Sequence, residues 1–284
     1  MGLVDYIHPS LAAAEWSRPS VKAAYIAGAF LSFCSVYAIS ALMSTVTTQT
    51  YRKLQTKEVV FWNLAVVRGV YGLFCIVFGT WAIFMDTDLV GDVVFATSPS
   101  SHFAMTTTVG FFIFECGMIL WSDIYFRQFN FLLNLHHWIS LLAYSLLIYM
   151  GSTHFYGTRG LILEMSTPFS CLCWTFLKAD MAHTLLWKAN LFLLVHTFHL
   201  RSVAECAIWY WTYQHLNRIW AAMTHMIDTY LTRKSYAKEA YVSPEVMYLS
   251  VIASFMPAGR AGTLCPFSEC EALDAGVWRQ TLLA

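Results

Sequence analysis

The stretch FNFLLNLHHWISLLAYSLLIYM, residues 129–150, contains no charged side chain, and none occurs between Arg127 and Arg159. A helix needs about 20 mostly apolar residues to cross about 30 Å of hydrocarbon. The segment is therefore long enough to span a bilayer, yet it holds two adjacent imidazoles, His136 and His137. Where those two rings sit decides both the fold and the question of function.

The rest of the chain has the same character. Of 284 residues 58% are hydrophobic and only 12% charged, where a soluble domain carries about 25% charged residues. Six segments have spanning length: Val21–Met43, Asn63–Phe84, His102–Trp121, Phe131–Tyr149, Leu161–Leu177 and Leu185–Trp211. The expected fold is all-α, a polytopic transmembrane helix bundle of six to seven spans. The first span exceeds the apolar core of about 7 to 15 residues found in a cleavable leader, so it reads as uncleaved. Net charge is +0 and no basic run is present, which argues against nucleic acid as a partner.

Four regions follow: an N-terminal segment (1–20), a first span with its basic loop (21–62), a membrane core (63–211), and an amphipathic segment with an irregular tail (212–284). Arg52, Lys53, Lys57, Arg127 and Lys178 fall in loops on one side, whereas MDTDLVGDVVFATSPSS (85–101) has three Asp and no basic residue. Basic loops stay in the cytosol, so the N-terminus is expected in the lumen. Six spans return the tail to that side; a seventh would reverse it.

Ionisable groups within spans cost at least about 2.5 to 3.5 kcal/mol at a helix centre and call for a partner or a purpose. Asn130, Asn134 and His137 follow i, i+4, i+7 spacing, with His136, Ser140 and Tyr144 on the adjacent strip. LILEMSTPFSCLCW (161–174) puts Glu164, Thr167 and Cys171 on one face, and Pro168 frees the Glu164 carbonyl. VHTFHLR (195–201) offers His196 and His199, with Arg201 set to pair with Glu205 at i+4. With Glu115 these residues are expected to line one polar chamber. The competing explanations are interhelical hydrogen bonding for the His pair, a neutral carboxyl for Glu164, packing for His196 and His199, and snorkelling to the interface for Arg68. Six of the eight cysteines lie in apolar segments, where Cys acts as a small hydrophobe. No metal site is indicated.

Three chemistries are testable on this inventory. A di-iron oxygenase needs more spaced histidines than the 10 present, and an elongase box is missing because Leu133, not His, precedes His136 by three. Acyl transfer needs less: His136 or His137 as base and Glu164 to orient it.

NLHHW, the run Glu164, Ser166, Thr167, Pro168 and Phe169, and LLWKANLFLLVHTFHLR resemble the TLC-domain membrane family, which includes the ceramide synthases. TYRKLQTKEVVFWNLAVVRGVYGL and TTTVGFFIFE are similar to the branch of that family associated with ceroid lipofuscinosis. The resemblance covers about residues 50–211. It implies an endoplasmic reticulum membrane protein that assists export of newly made soluble lysosomal enzymes to the Golgi, with a role in lysosome function and lipid metabolism. Implied partners are membrane lipids, lysosomal enzymes as cargo, transport-vesicle machinery and a second copy in a homodimer. The ceramide synthases imply instead an acyltransferase with no bound cofactor and acyl-CoA as co-substrate, His136 and His137 matching the catalytic pair. The longer polar signature that follows that pair is replaced here by ISLLAYSLLIYM, which argues against a sphingoid base as acceptor. A dilysine-type retrieval ending is also implied, whereas the chain closes RQTLLA (279–284). The resemblance implies the endoplasmic reticulum membrane with cycling to the ER–Golgi intermediate compartment, and the altered ending argues against steady-state retention there.

Overall fold

The computed structural model describes residue 11 and residues 13–233. The C-terminal tail, with Cys265, Cys270 and the question of a retrieval ending, lies outside the described residues. All regular elements among the described residues are helical, and six are long and apolar enough to cross a membrane. They are α1 (Pro19–Thr47), α3 (Thr56–Phe84), α4 (Pro99–Phe126), α5 (Phe131–Met150), the composite span from α6 (His154–Gly160) through a 3₁₀ turn (Leu161–Glu164) to α7 (Thr167–Lys178), and α8 (Leu185–Gln214). A short α2 (Gln49–Lys53) and a final α9 (Leu216–Arg233) complete the series.

Helix ends are set by local chemistry. Gln55 and Glu58 form a reciprocal capping box that starts α3 seven residues before the expected span. Ser98 and Ser101 do the same for α4, where Pro99 occupies the first turn and needs no donor. The Asn130 Oδ1 accepts from the Leu133 N–H at 3.1 Å and opens α5, so Asn130 is a cap rather than a member of a polar strip.

The fifth span also starts earlier than expected. Residues 151–158, read from sequence as part of an uncharged loop, fold largely into α6, and His154 is fully buried. Pro168 does not kink a continuous helix; α7 restarts at Thr167 after the 3₁₀ turn, with the proline in its first turn.

α3 and α4 are the inner helices. α3 packs against α1, α6, the 3₁₀ turn and α7, while α4 packs against α1 and α5. Two glycines on α3 permit the closest approaches: a Cβ on Gly72 would stand 2.5 Å from Pro168 Cδ, and one on Gly79 would stand 2.7 Å from the Ile162 nitrogen. The core runs through Leu64, Val67, Tyr71, Cys75, Phe111, Phe112 and Leu161. α1 and α8 turn Leu31, Ile39, Leu42, Phe192, Leu200 and Val203 outward. Such apolar outer faces on helices with saturated backbones suit a hydrocarbon solvent.

The two ends of the bundle differ. At one, Lys178 Nζ pairs with Glu58 at 2.7 Å and Lys57 Nζ donates to Gln128 at 2.6 Å. At the other, the amphipathic α9 folds back, burying Ile219, Ala222 and Met223 against Leu89, Val93, Val94, Phe155 and Tyr156. Arg218 pairs with Asp92 at 3.0 Å and fastens α9 to the acidic loop.

Candidate functional site

Three helices meet around one carboxylate. Glu115 of α4 is fully buried, and its Oε1 accepts from Arg68 Nε of α3 at 2.7 Å and from Arg68 Nη2. His137 of α5 brings Nε2 to 3.7 Å from the same oxygen. Arg68 therefore does not snorkel. With α3 starting at Thr56, its position is well inside the span, and it is 7% exposed. A buried charge is tolerated when paired in this way, since its desolvation is offset by two charge-assisted hydrogen bonds to one carboxylate oxygen.

The His137 ring is fixed through Nδ1. Nδ1 lies 2.8 Å from the Leu133 carbonyl, which can only accept, so Nδ1 carries the proton. Nε2 faces the carboxylate. The second carboxylate oxygen, Glu115 Oε2, is buried and has no hydrogen-bond partner among the described residues.

His136 does something else. It is exposed, no hydrogen bond to its ring occurs among the described residues, and its ring stands 5.2 Å from that of His137 at 85°. It interacts electrostatically with Glu164 of the 3₁₀ turn and Arg201 of α8. Glu164 is part-buried, accepts from Thr167 Oγ1 at 2.6 Å, and also feels Arg201 and both imidazoles. α5 packs mainly on α4 and touches α6 only slightly, so this group joins α5 to the 3₁₀ turn and α8 through side-chain electrostatics. Tyr144 lies deeper, its hydroxyl donating to the Gly157 carbonyl at 3.3 Å. Tyr71 of α3, stacked on Phe111 at 3.6 Å, has a buried hydroxyl close to the Cys75 thiol and within electrostatic reach of Tyr144 and Glu164.

The structure thus brings Glu115, His136, His137, Tyr144, Glu164, Thr167 and Arg201 together. Asn134 does not join them: its amide donates to Asp123 at 2.5 Å and to the Asn130 carbonyl, tying α5 to the end of α4. His196 and His199 stand on an exposed face of α8, where the His196 Nδ1 donates to the Phe192 carbonyl at 2.8 Å. Arg201 acts on Glu205 and Glu164 at longer range instead of closing an ion pair with Glu205. Arg68 and Tyr71 are the site residues that sequence reasoning missed. The available signal for Arg68 was Glu115 itself, a carboxylate inside a span with no basic residue on its own helix.

A second polar cluster lies at the α9 end. His102 is stacked on Trp16 with centroids 5.5 Å apart and meets the His154 ring edge-on at 4.5 Å. Ser101 Oγ is 2.8 Å from His154 Nδ1, and Lys22 Nζ donates to the Ile148 carbonyl at 3.0 Å. It closes the end of the bundle where α1, α4, α5 and α6 converge.

A family model described as TLC domain matches residues 61–255. The chain belongs to the TLC-domain family. Within it, the chain is 36% identical to Protein CLN8 of Rattus norvegicus over 203 residues, covering 71% of this chain and 69% of that protein. It is 33% identical to Protein CLN8 of Homo sapiens over 202 residues, covering 71% of each. TLC domain-containing protein 4-B of Danio rerio is 24% identical over 192 residues, 65% of this chain and 70% of that protein. No solved structure matches. The polar assembly from Arg68 to Arg201 falls wholly inside the TLC-domain match.

Proposed function

We propose that this chain is a multi-pass endoplasmic reticulum membrane protein that assists export of newly made lysosomal enzymes and contributes to lysosome function and lipid homeostasis. Its likeness to CLN8 over about 70% of both chains supports this reading. An acidic loop fastened to α9, at the end expected in the lumen, fits this reading. Asp92 accepts from the Val94 and Phe95 N–H groups and is latched by Arg218, leaving Asp88 exposed beside it. In cells lacking the protein, the wild-type chain restores delivery of lysosomal enzymes, and an Arg218→Ala, Asp92→Ala variant expressed at the same level does not. Full restoration by that variant removes the acidic loop from the reading.

A second reading, lipid acyl transfer, is favoured by one observation: the His136 ring makes no hydrogen bond among the described residues and lies within electrostatic reach of Glu164 and Arg201, each delivered by a different element. His136 takes the proton from an acceptor hydroxyl or amine as that group attacks the thioester carbonyl of an acyl-CoA. The C–S bond then breaks, and the departing thiolate recovers the proton, giving the acylated lipid and free CoA. Glu164 orients the imidazole and offsets its transient charge. Whole-cell lipid profiles of a His136→Ala, His137→Ala variant separate the two readings. One lipid class abnormal with enzyme delivery intact supports acyl transfer; both restored counts against it.

A further inference from the structure

We propose that two copies of this chain pair through the outward face of α8, with His196 of each copy hydrogen-bonded to His199 of the other. The inference stands apart from both functional readings.

α1 and α8 both turn side chains outward, but their polar groups are treated differently. On α1 the exposed hydroxyls of Ser32 and Ser35 donate to carbonyls of their own helix, Gly28 at 2.8 Å and Leu31 at 2.9 Å. On α8 two exposed imidazoles, His196 and His199, stand near the middle of a 30-residue span. Because the His196 Nδ1 donates to the Phe192 carbonyl, its Nε2 is left as a bare acceptor. No donor reaches that nitrogen among the described residues, and the His199 ring makes no hydrogen bond among them either. Ionisable side chains at such depth almost always face protein or water instead of lipid tails.

The face that carries them has the spacing of a helix–helix seam. Phe192, His196, His199, Val203, Cys206 and Tyr210 follow alternating steps of four and three, and all six are exposed. This is the heptad repeat of a left-handed helix pair, the usual geometry of packed membrane helices. The charged residues of the same stretch, Arg201 and Glu205, lie off the seam, and Arg201 acts inward on Glu164. No like charges therefore meet when one seam is laid on another.

The hydrogen-bonding groups point to a second copy as the occupant. Copies related by a twofold axis along the membrane normal run parallel, so each seam meets itself. His196 of one copy then lies about 4.5 Å along the axis from His199 of the other. His199 has no bond that fixes its tautomer, so it can turn an N–H to the opposing His196 Nε2, and the twofold makes the bond twice. Acceptor and donor are thus both carried by this chain, at matching depth.

The test uses the full chain in phosphatidylcholine vesicles. Copper–phenanthroline oxidation followed by non-reducing electrophoresis reads covalent dimer for the parent, which carries Cys206, and for single cysteines placed in a Cys206→Ser background. The expected yield above that background is several-fold higher for Cys206, Val203→Cys and Tyr210→Cys than for Leu200→Cys, which is exposed but off the seam. In parallel, energy transfer between donor- and acceptor-labelled copies is followed as lipid is added. A folded His196→Leu, His199→Leu variant is expected to dissociate with a Kd about tenfold higher, the effect of two interhelical hydrogen bonds in a membrane. Equal dimer yield at Leu200 and Val203 overturns the seam, as does oxidation that joins Cys206 only to a cysteine of its own chain. A parental Kd in the double variant overturns the bonding of His196 to His199.

Discussion

Gly72 of α3 and Pro168 of α7 are in such close contact that a Cβ on the glycine would meet the proline ring carbons at 2.5 and 2.7 Å. This contact sets the distance between the helix carrying Arg68 and Tyr71 and the turn carrying Glu164. Neither partner can yield easily, since the proline ring is rigid and the residue sits in the first turn of α7. Replacement by Ala forces the two elements apart, with an expected cost of about 1 to 3 kcal/mol. Gly69, one turn earlier on the same helix, has nothing within 4 Å of its would-be Cβ. Gly69→Ala is therefore neutral or stabilising, by up to about 1 kcal/mol from helix propensity. Thermal unfolding of the two variants in detergent checks the contrast, and equal effects would show that α3 and α7 can separate freely.

Breaking the Arg68–Glu115 pair on one side leaves an uncompensated buried charge. Arg68→Ala is expected to cost about 3 to 5 kcal/mol, whereas replacement of both partners by apolar residues is nearly neutral. Expression level and unfolding temperature of the single and double variants distinguish this from a simple loss of contacts, in which the double variant would be the worse of the two.

The two neighbouring histidines are not equivalent in stability. His137→Ala removes the bond to the Leu133 carbonyl and one neighbour of a buried carboxylate, a loss of about 1 to 3 kcal/mol. His136→Ala removes an exposed ring with no hydrogen bond and changes stability by less than about 0.5 kcal/mol. Under the acyl-transfer reading both abolish CoA release. A His136→Ala protein as inactive as His137→Ala but as stable as the parent is the diagnostic result.

The acidic loop titrates in two opposite ways. The Val94 N–H, with those of Phe95 and the nearby Arg218, holds the Asp92 carboxyl below the usual carboxylate range. Its folded value lies under its unfolded one, so the latch to α9 contributes stability that is present above the usual range and lost as pH falls through the lowered value. Burial pushes the Asp86 carboxyl up, against a smaller opposing pull from Arg159. Its contribution has the reverse sign: stability is greatest while Asp86 is protonated and declines as pH rises through the raised value. Limited proteolysis between α8 and α9 across an acid titration is expected to accelerate at the low end in the parent. Asp92→Asn should cut readily at every pH, while Asp86→Asn should remove the loss at the upper side only.

The membrane fold was legible because hydrocarbon imposes length and apolarity on every span, and all six expected segments coincide with spanning helices. Starts were less legible. Gln55 and Asn130 act as caps through side-chain bonds that hydropathy does not register, and this shift of α3 is why Arg68 reads as an end residue when it is an interior one. At the site, spacing along one helix brought out His136, His137, Glu164 and Thr167, because those relations are local. It misjudged Asn134, His196 and His199, whose partners depend on which face of a helix meets which neighbour. The His102–His154 contact joins residues 52 positions apart and left no local trace.

α5 has 20 residues and α8 has 30, which at 1.5 Å per residue makes them about 30 and 45 Å long. Helices so unequal cannot both match one bilayer thickness. Against about 30 Å of hydrocarbon α5 fits upright, whereas α8 tilts or runs on into the interface. His136 sits five residues past the first residue of α5, only about 8 Å along the axis. At that depth the imidazole lies nearer one interface than the bilayer centre, so a lipid headgroup has a short way to travel to meet it.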